Sequence, residues 1–212
     1  MALWFSVGSD MRYLSHREIV RFWQRLLTRA EAPVRFSEGF NPHIRMSLPL
    51  PRNVGVSGAA ELLLLEMAES YPAEQLAEVL VKHLPAGIEL KGIKEVPRRT
   101  RSFPEWARYQ IVLSEAVDRT ELEQSIRHFM DEASWPVKRA RRGRHPQRTI
   151  DLRGGVRELR RAAEGLFCTI AIRPEGTIRI EELLRALQID SPARVLEIKR
   201  TTIGYPSELL MD

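Results

Sequence analysis

Ser15 stands three residues before Glu18, and the large apolar residues that follow it recur at helical spacing. A hydroxyl N-cap with a glutamate at the third helical position is a capping box. Ile19, Val20, Phe22, Trp23, Leu26 and Leu27 form the stripe that such a helix must bury, and the helix must stop before Pro33. Residues 2–8 and 11–13 read as extended before it, and Val34–Phe36 as a strand after it. A helix apolar on one side and held between strands requires a sheet to lie on. Met46–Pro51, with two prolines, reads as an edge or an irregular connection. Ala59–Met67 reads as a strand, and Gly55 and Gly58 before it favour a hairpin. Pro72 opens a second helix with Leu76, Val79, Leu80 and Leu84 on one face, and Ile88–Val96 closes the series as a strand. That order is β-α-β-β-α-β.

The second half repeats the pattern without close sequence identity. Ala107–Leu113 is a predicted strand, and Asp118–Ala133 a helix with Leu122, Ile126, Phe129 and Met130 inward. Val137–Ala140 and Thr149–Leu152 are short predicted strands, and Gly154-Gly155 breaks the second. Gly165–Ile172, a helix over Ile180–Leu187 and a last strand over Val195–Thr202 complete the unit. The expected fold class is therefore α+β, with two tandem ferredoxin-like units. The first spans 1–97, a linker 98–106, and the second 107–212 with a basic insertion at 138–161.

At 212 residues the chain is long enough to bury a substantial core, and 43% hydrophobic with 29% charged residues is an ordinary balance. The longest Leu-rich run, Leu62–Leu65, is bounded by Glu61 and Glu66, far short of a membrane span. The start lacks the basic and apolar regions of a signal peptide. One cysteine, Cys168, excludes an internal disulfide and a multi-cysteine metal site. These readings predict a cytoplasmic protein without membrane contact, metal or cofactor of its own. Any iron–sulfur chemistry would belong to a partner.

The net charge of +5 is uneven. Trp135–Arg161 holds ten Lys/Arg against Asp151 and Glu158, a local charge of +8, whereas the rest of the chain is at −3. A basic patch on a mildly acidic body points to a polyanion, most commonly RNA or DNA. Lys138, Arg139, Arg141, Arg142, Arg144 and Arg148 are the expected phosphate contacts. A second candidate is the turn-rich stretch Ser37-Glu38-Gly39-Phe40-Asn41-Pro42-His43-Ile44-Arg45. Gly39 allows positive φ and Pro42 forces Asn41 out of helix, so polar groups must project from a short loop. Ser37, Phe40, Asn41, His43 and Arg45 are its expected RNA contacts. His16, in the first helical turn, and His43 are the candidates for acid–base work. No nucleotide-binding glycine loop, nucleophile elbow or histidine pair at metal-ligand spacing occurs.

The chain resembles the radical SAM-linked protein family, a bacterial group of domains found alone or fused to the C-terminus of a radical S-adenosylmethionine protein with a cobalamin-binding-like region. The residues that carry the resemblance are Arg12-Tyr13-Leu14-Ser15-His16, Arg29-Ala30 with Pro33, Phe36–His43, and Leu48-Pro49-Leu50-Pro51 with Val54-Gly55. Arg17-Glu18 stands where members often have Leu-Asp, and Ile44 where they often have Pro. The resemblance implies a radical SAM protein as partner and no reaction. At the level of fold alone, the paired layout is also similar to CRISPR repeat-processing endoribonucleases.

Three functions follow as expectations. The first is a non-catalytic RNA-binding accessory that presents a structured RNA, tRNA or rRNA, to a radical SAM partner. The second is a metal-independent endoribonuclease using His16 or His43 as general base. The third is a protein–protein adaptor whose arginines dock on an acidic face of the radical SAM protein without RNA.

Overall fold

A computed structural model describes residues 1–98, 100, 102–139, 148–174, 176–189 and 193–209. Contacts divide the chain into two units: Met1–Pro104 with Arg200–Asp212, and Glu105–Lys199. Both are mixed α/β, and among the described residues they hold four helices and ten strands.

In the first unit β1 (Ala2–Val7) leads through a 3-10 turn (Ser9–Tyr13) into α1 (His16–Arg29). β2 (Met46–Ser47), β3 (Val56–Leu65), α2 (Ala73–Val81) and β4 (Ile88–Lys94) follow. The strand order is β4-β1-β3, with β2 on the far side of β3. The β1–β3, β1–β4 and β2–β3 pairs are all antiparallel. Leu3, Phe5, Val7, Leu63 and Leu65 face α1 and α2, where Phe5 and Trp23 meet edge-on at 4.8 Å between ring centroids. Ala2, Trp4 and Leu62 face the other way, under Ile203, Tyr205 and Leu209 from the chain's last residues. Cover on both faces explains why Ala2–Phe5 and the Leu62–Leu65 run are apolar throughout rather than alternating.

In the second unit β5 (Trp106–Leu113) precedes α3 (Arg119–Asp131), whose Asp118 carboxylate accepts from the Thr120 and Glu121 amides at 2.8 and 2.9 Å. β6 (Pro136–Arg139) and β7 (Arg148–Asp151) pair as a separate antiparallel hairpin. β8 (Val156–Ala162), β9 (Gly165–Ala171) and α4 (Ile180–Ala186) follow, and β10 (Val195–Gly204) begins in this unit and runs on into the residues grouped with the first. The order within the unit is β10-β5-β9-β8. Ile111, Leu159, Leu166, Cys168 and Ile170 pack against Leu122, Ile126 and Phe129 of α3 and Leu183 and Leu184 of α4. Burial pushes the Cys168 thiol up to about 12, so it behaves as a core residue and not as a nucleophile. No helix among the described residues is long and apolar enough to cross a membrane.

Several elements differ from the sequence reading. Residues 11–13 lie in the 3-10 turn and not in an extended segment. Val34–Phe36 forms no strand: Val34 bridges Met67 and Phe36 bridges Ile44, because the chain turns back too soon for a ladder. β8 was hidden inside the basic segment. It is an edge strand with a register shift between Val156 and Glu158, and such a bulge breaks the alternation by which a strand is recognised.

Candidate functional site

The Ser37–Arg45 loop, between α1 and β2, is anchored at both stems on Glu66, the residue after β3. Arg35 N–H donates to the Glu66 carbonyl (2.8 Å), Glu66 N–H to the Arg45 carbonyl (3.0 Å), and Arg45 N–H to the Arg35 carbonyl (2.8 Å). Above this base, Ser37 N–H donates to the His43 carbonyl at 2.8 Å. His43 N–H donates back to Ser37 Oγ at 3.0 Å. Ile44 is buried beneath, while Glu38–His43 stand in solvent. Gly39 reverses the chain at φ +118°, a conformation that a side chain would strain. The loop thus has a pinned base and a presented tip, and Phe40 at that tip is 106% exposed. Arg45 is half-buried and pairs with Glu66 at 3.6 Å, which Arg98 also reaches at 3.3 Å.

A second cluster lies at the opposite end of β3. The buried Arg52 guanidinium donates to the carbonyls of Arg12 (2.8 Å), Asn53 (3.3 Å), Val56, Met11 (3.4 Å) and Leu14 (3.4 Å). Gly55 N–H adds a bond to the Arg12 carbonyl at 2.9 Å. A rigid fork of donors thereby stitches the 3-10 turn to the turn before β3. The stitched chain enters α1 through the predicted capping box: Ser15 N–H donates to Glu18 Oε2 at 2.8 Å and Glu18 N–H to Ser15 Oγ at 3.4 Å. His16 follows, half-buried, and burial together with the charge of Arg200 lowers its pKa. Arg200 itself is buried on Glu61, donating from Nε to Oε1 at 3.0 Å and from Nη2 to Oε2. Its other bonds go to the carbonyls of Pro51 and Leu50, both at 3.1 Å. Gly58 leaves room for this carboxylate, since a Cβ there would lie 2.2 Å from Glu61 Oε1. Nearby, Arg12 lies over the Tyr13 ring at 5.0 Å and donates to its hydroxyl at 3.0 Å.

His16 and His43 are not brought together. The Arg12–Gly55 bond fixes one motif at the start of β3, and the Arg45–Glu66 bond fixes the other beyond its end. Ten residues of strand lie between these two anchors, about 30 Å at ~3.3 Å per residue. No group of three or more metal-ligating side chains occurs among the described residues.

Several cations of the basic segment are tied within the second unit. Arg139 donates from Nε to Glu182 Oε1 at 2.8 Å and from Nη2 to Oε2 at 2.5 Å. Arg153 donates to the carbonyls of Met130 (3.0 Å) and Val156 (3.3 Å). Arg161 pairs with Glu123 at 2.5 Å, and Arg160 with Glu158 at 3.0 Å. Lys138 and Arg157 are exposed and Arg148 is half-buried. Arg141, Arg142 and Arg144 lie outside the described residues, in the connection between β6 and β7.

Residues 1–191 match the family described as "Uncharacterized protein conserved in bacteria (DUF2344)". The chain belongs to that family. No curated protein sequence matches it. Among solved structures it is similar to a chain of a Cbf5-Nop10-Gar1 complex, with TM-score 0.52 and 13% identity over 96% of this chain. It spans 48% of that chain, about half its length. At such identity the likeness shows the fold alone.

The family match covers the Ser37–Arg45 loop and the second cluster apart from Arg200, and the sequence reading picked out only part of either. It named the Ser37–Arg45 loop and His16, and it missed Arg52, Glu61 and Arg200. Glu61 did carry a signal, because a carboxylate next to the Leu62–Leu65 run must find a partner if the strand is covered on both faces. Arg200 lies 139 residues from that carboxylate, and no local pattern marks it.

Proposed function

We propose that the protein binds RNA without cleaving it and presents a structured RNA, tRNA or rRNA, to a radical SAM partner. The observation that carries this reading is Phe40: a fully exposed phenyl ring on a loop with a hydrogen-bonded base. The ring belongs to none of the hydrophobic clusters formed by the described residues. An exposed ring suits a base splayed out of an RNA loop, and such stacking contributes about 1–3 kcal/mol per base. Asn41 and His43 beside it offer hydrogen-bonding groups for base edges, and Arg35 and Arg45 supply charge at the loop's base. The cations of residues 138–161 that face solvent add phosphate contacts. We read each unit, with its four-strand order and two helices, as ferredoxin-like, and the radical SAM partner rests on the family resemblance.

The test is a filter-binding titration of bulk RNA from about 50 to about 300 mM salt, followed by gel analysis of the RNA in EDTA. Binding that falls steeply with salt, weakens on Phe40→Ala and leaves the RNA intact is expected, because phosphate neutralisation releases counterions. No binding at the lowest salt refutes the reading. Cleavage that His16→Ala or His43→Ala abolishes would replace it with an endoribonuclease. Nuclease-resistant co-purification with a radical SAM protein, without RNA affinity, would replace it with an adaptor.

A further inference from the structure

The side chains of β5, β9 and β8 alternate between two environments. Ala107 and Ile111, Leu166, Cys168 and Ile170, and Leu159 are buried on the side of α3 and α4. The intervening residues include two aromatic rings, Trp106 and Phe167, that belong to no hydrophobic cluster. Arginines cover them instead. The Arg108 guanidinium lies 5.4 Å from the Trp106 ring and 5.3 Å from the Phe167 ring, and Arg160 lies 4.4 Å over Phe167. Glu158 holds both cations, Arg160 at 3.0 Å and Arg108 at 3.9 Å, and accepts from Thr169 Oγ1 at 3.1 Å. Arg160 remains 56% exposed and Arg108 39%.

Phe167 lies on β9, between β5 and β8, where a sheet normally buries its largest rings. A partly exposed ring there that meets guanidinium groups, outside every hydrophobic cluster of the described residues, is a stacking surface with its phosphate-binding cations already beside it. Arg108 and Arg160 both reach the Glu158 carboxylate on this face.

We propose that this face of β5, β9 and β8 is a platform for single-stranded RNA, with bases stacked on Phe167 and Trp106 and the backbone held by Arg108 and Arg160. The proposal rests on the RNA reading above but assigns it a second, separate site. It specifies the strand as single, because a duplex offers no free base face to a flat aromatic surface.

The experiment measures a short labelled oligouridylate by fluorescence anisotropy with the full chain and three variants. Phe167→Leu keeps an apolar side chain and removes the ring face, so affinity should fall about five- to a hundred-fold with the salt dependence unchanged. Arg160→Gln should lower the salt slope by about one. Phe40→Ala reports on the loop independently. Thermal melts confirm that each variant is folded, and photocrosslinking of a 4-thiouridine oligonucleotide to wild-type protein should label the peptide containing Phe167. Equal binding by wild type, Phe167→Leu and Arg160→Gln, with the label elsewhere, overturns the platform and leaves the RNA reading standing. Loss only in the Phe167 and Arg160 variants upholds the platform and removes the loop from the reading. Absence of RNA binding by the wild type overturns both.

Discussion

Replacing Glu61 with alanine would leave Arg200 at 2% exposure without its counter-ion. The remaining acceptors, the Pro51 and Leu50 carbonyls at 3.1 Å, satisfy donors but do not cancel a charge. The loss extends further, because Arg52 is drawn toward the same carboxylate and repelled by Arg200. Two buried cations would then face each other. Removing one partner of a buried pair costs about 3–5 kcal/mol. With a urea slope of about 2 kcal/mol per molar, the midpoint for unfolding of the first unit should drop by about 1.5–2.5 M. The assay is urea denaturation followed by tryptophan fluorescence, since Trp4 and Trp23 are both buried in this unit. Glu61→Leu combined with Arg200→Met should recover much of that loss, because the cost of the single change is the stranded charge. A shift under about 0.5 M for Glu61→Ala would show that water reaches Arg200, and the double variant would then give no recovery.

Other expectations follow from the same geometry. Phe40→Ala should leave the melting temperature unchanged within about one degree, since a ring in solvent stabilises nothing by burial. His16 has a folded pKa below its ordinary 6.5, so the unfolded chain binds its proton more readily. Its contribution to stability therefore rises with pH through the window just below 6.5 and is lost on acidification; His16→Gln should flatten that slope in melts taken across the window. Cys168 should resist iodoacetamide in the native state and react only after denaturation, read by mass spectrometry.

The legible parts of the fold were those with local signals. The Ser15–Glu18 box and the proline before α2 marked where those helices start, while α2 ends at Val81, short of the Leu84 assigned to its face. The Leu62–Leu65 run also gave a strand, though its apolar character comes from residues 203–209, which no reading of that run could supply. Phe40 was readable as an exposed aromatic because turn formers surround it. The charge of Trp135–Arg161 was equally visible, but its distribution was not: Arg139, Arg153 and Arg161 are bound to acceptors on other elements of the second unit. A count of arginines registers charge and is blind to such partners. The same limit hid Arg52, whose acceptors Met11, Arg12 and Leu14 lie about forty positions upstream.

The assignment of Arg200–Leu209 to the first unit has a consequence for biosynthesis. During translation residues 1–104 emerge with Glu61 uncompensated and the Trp4–Leu62 surface uncovered, and both wait for residues 200–209, whose Arg200 follows Glu61 by 139 positions. A premature stop before codon 200 would therefore damage the unit built on residues 1–104, far upstream of the stop itself.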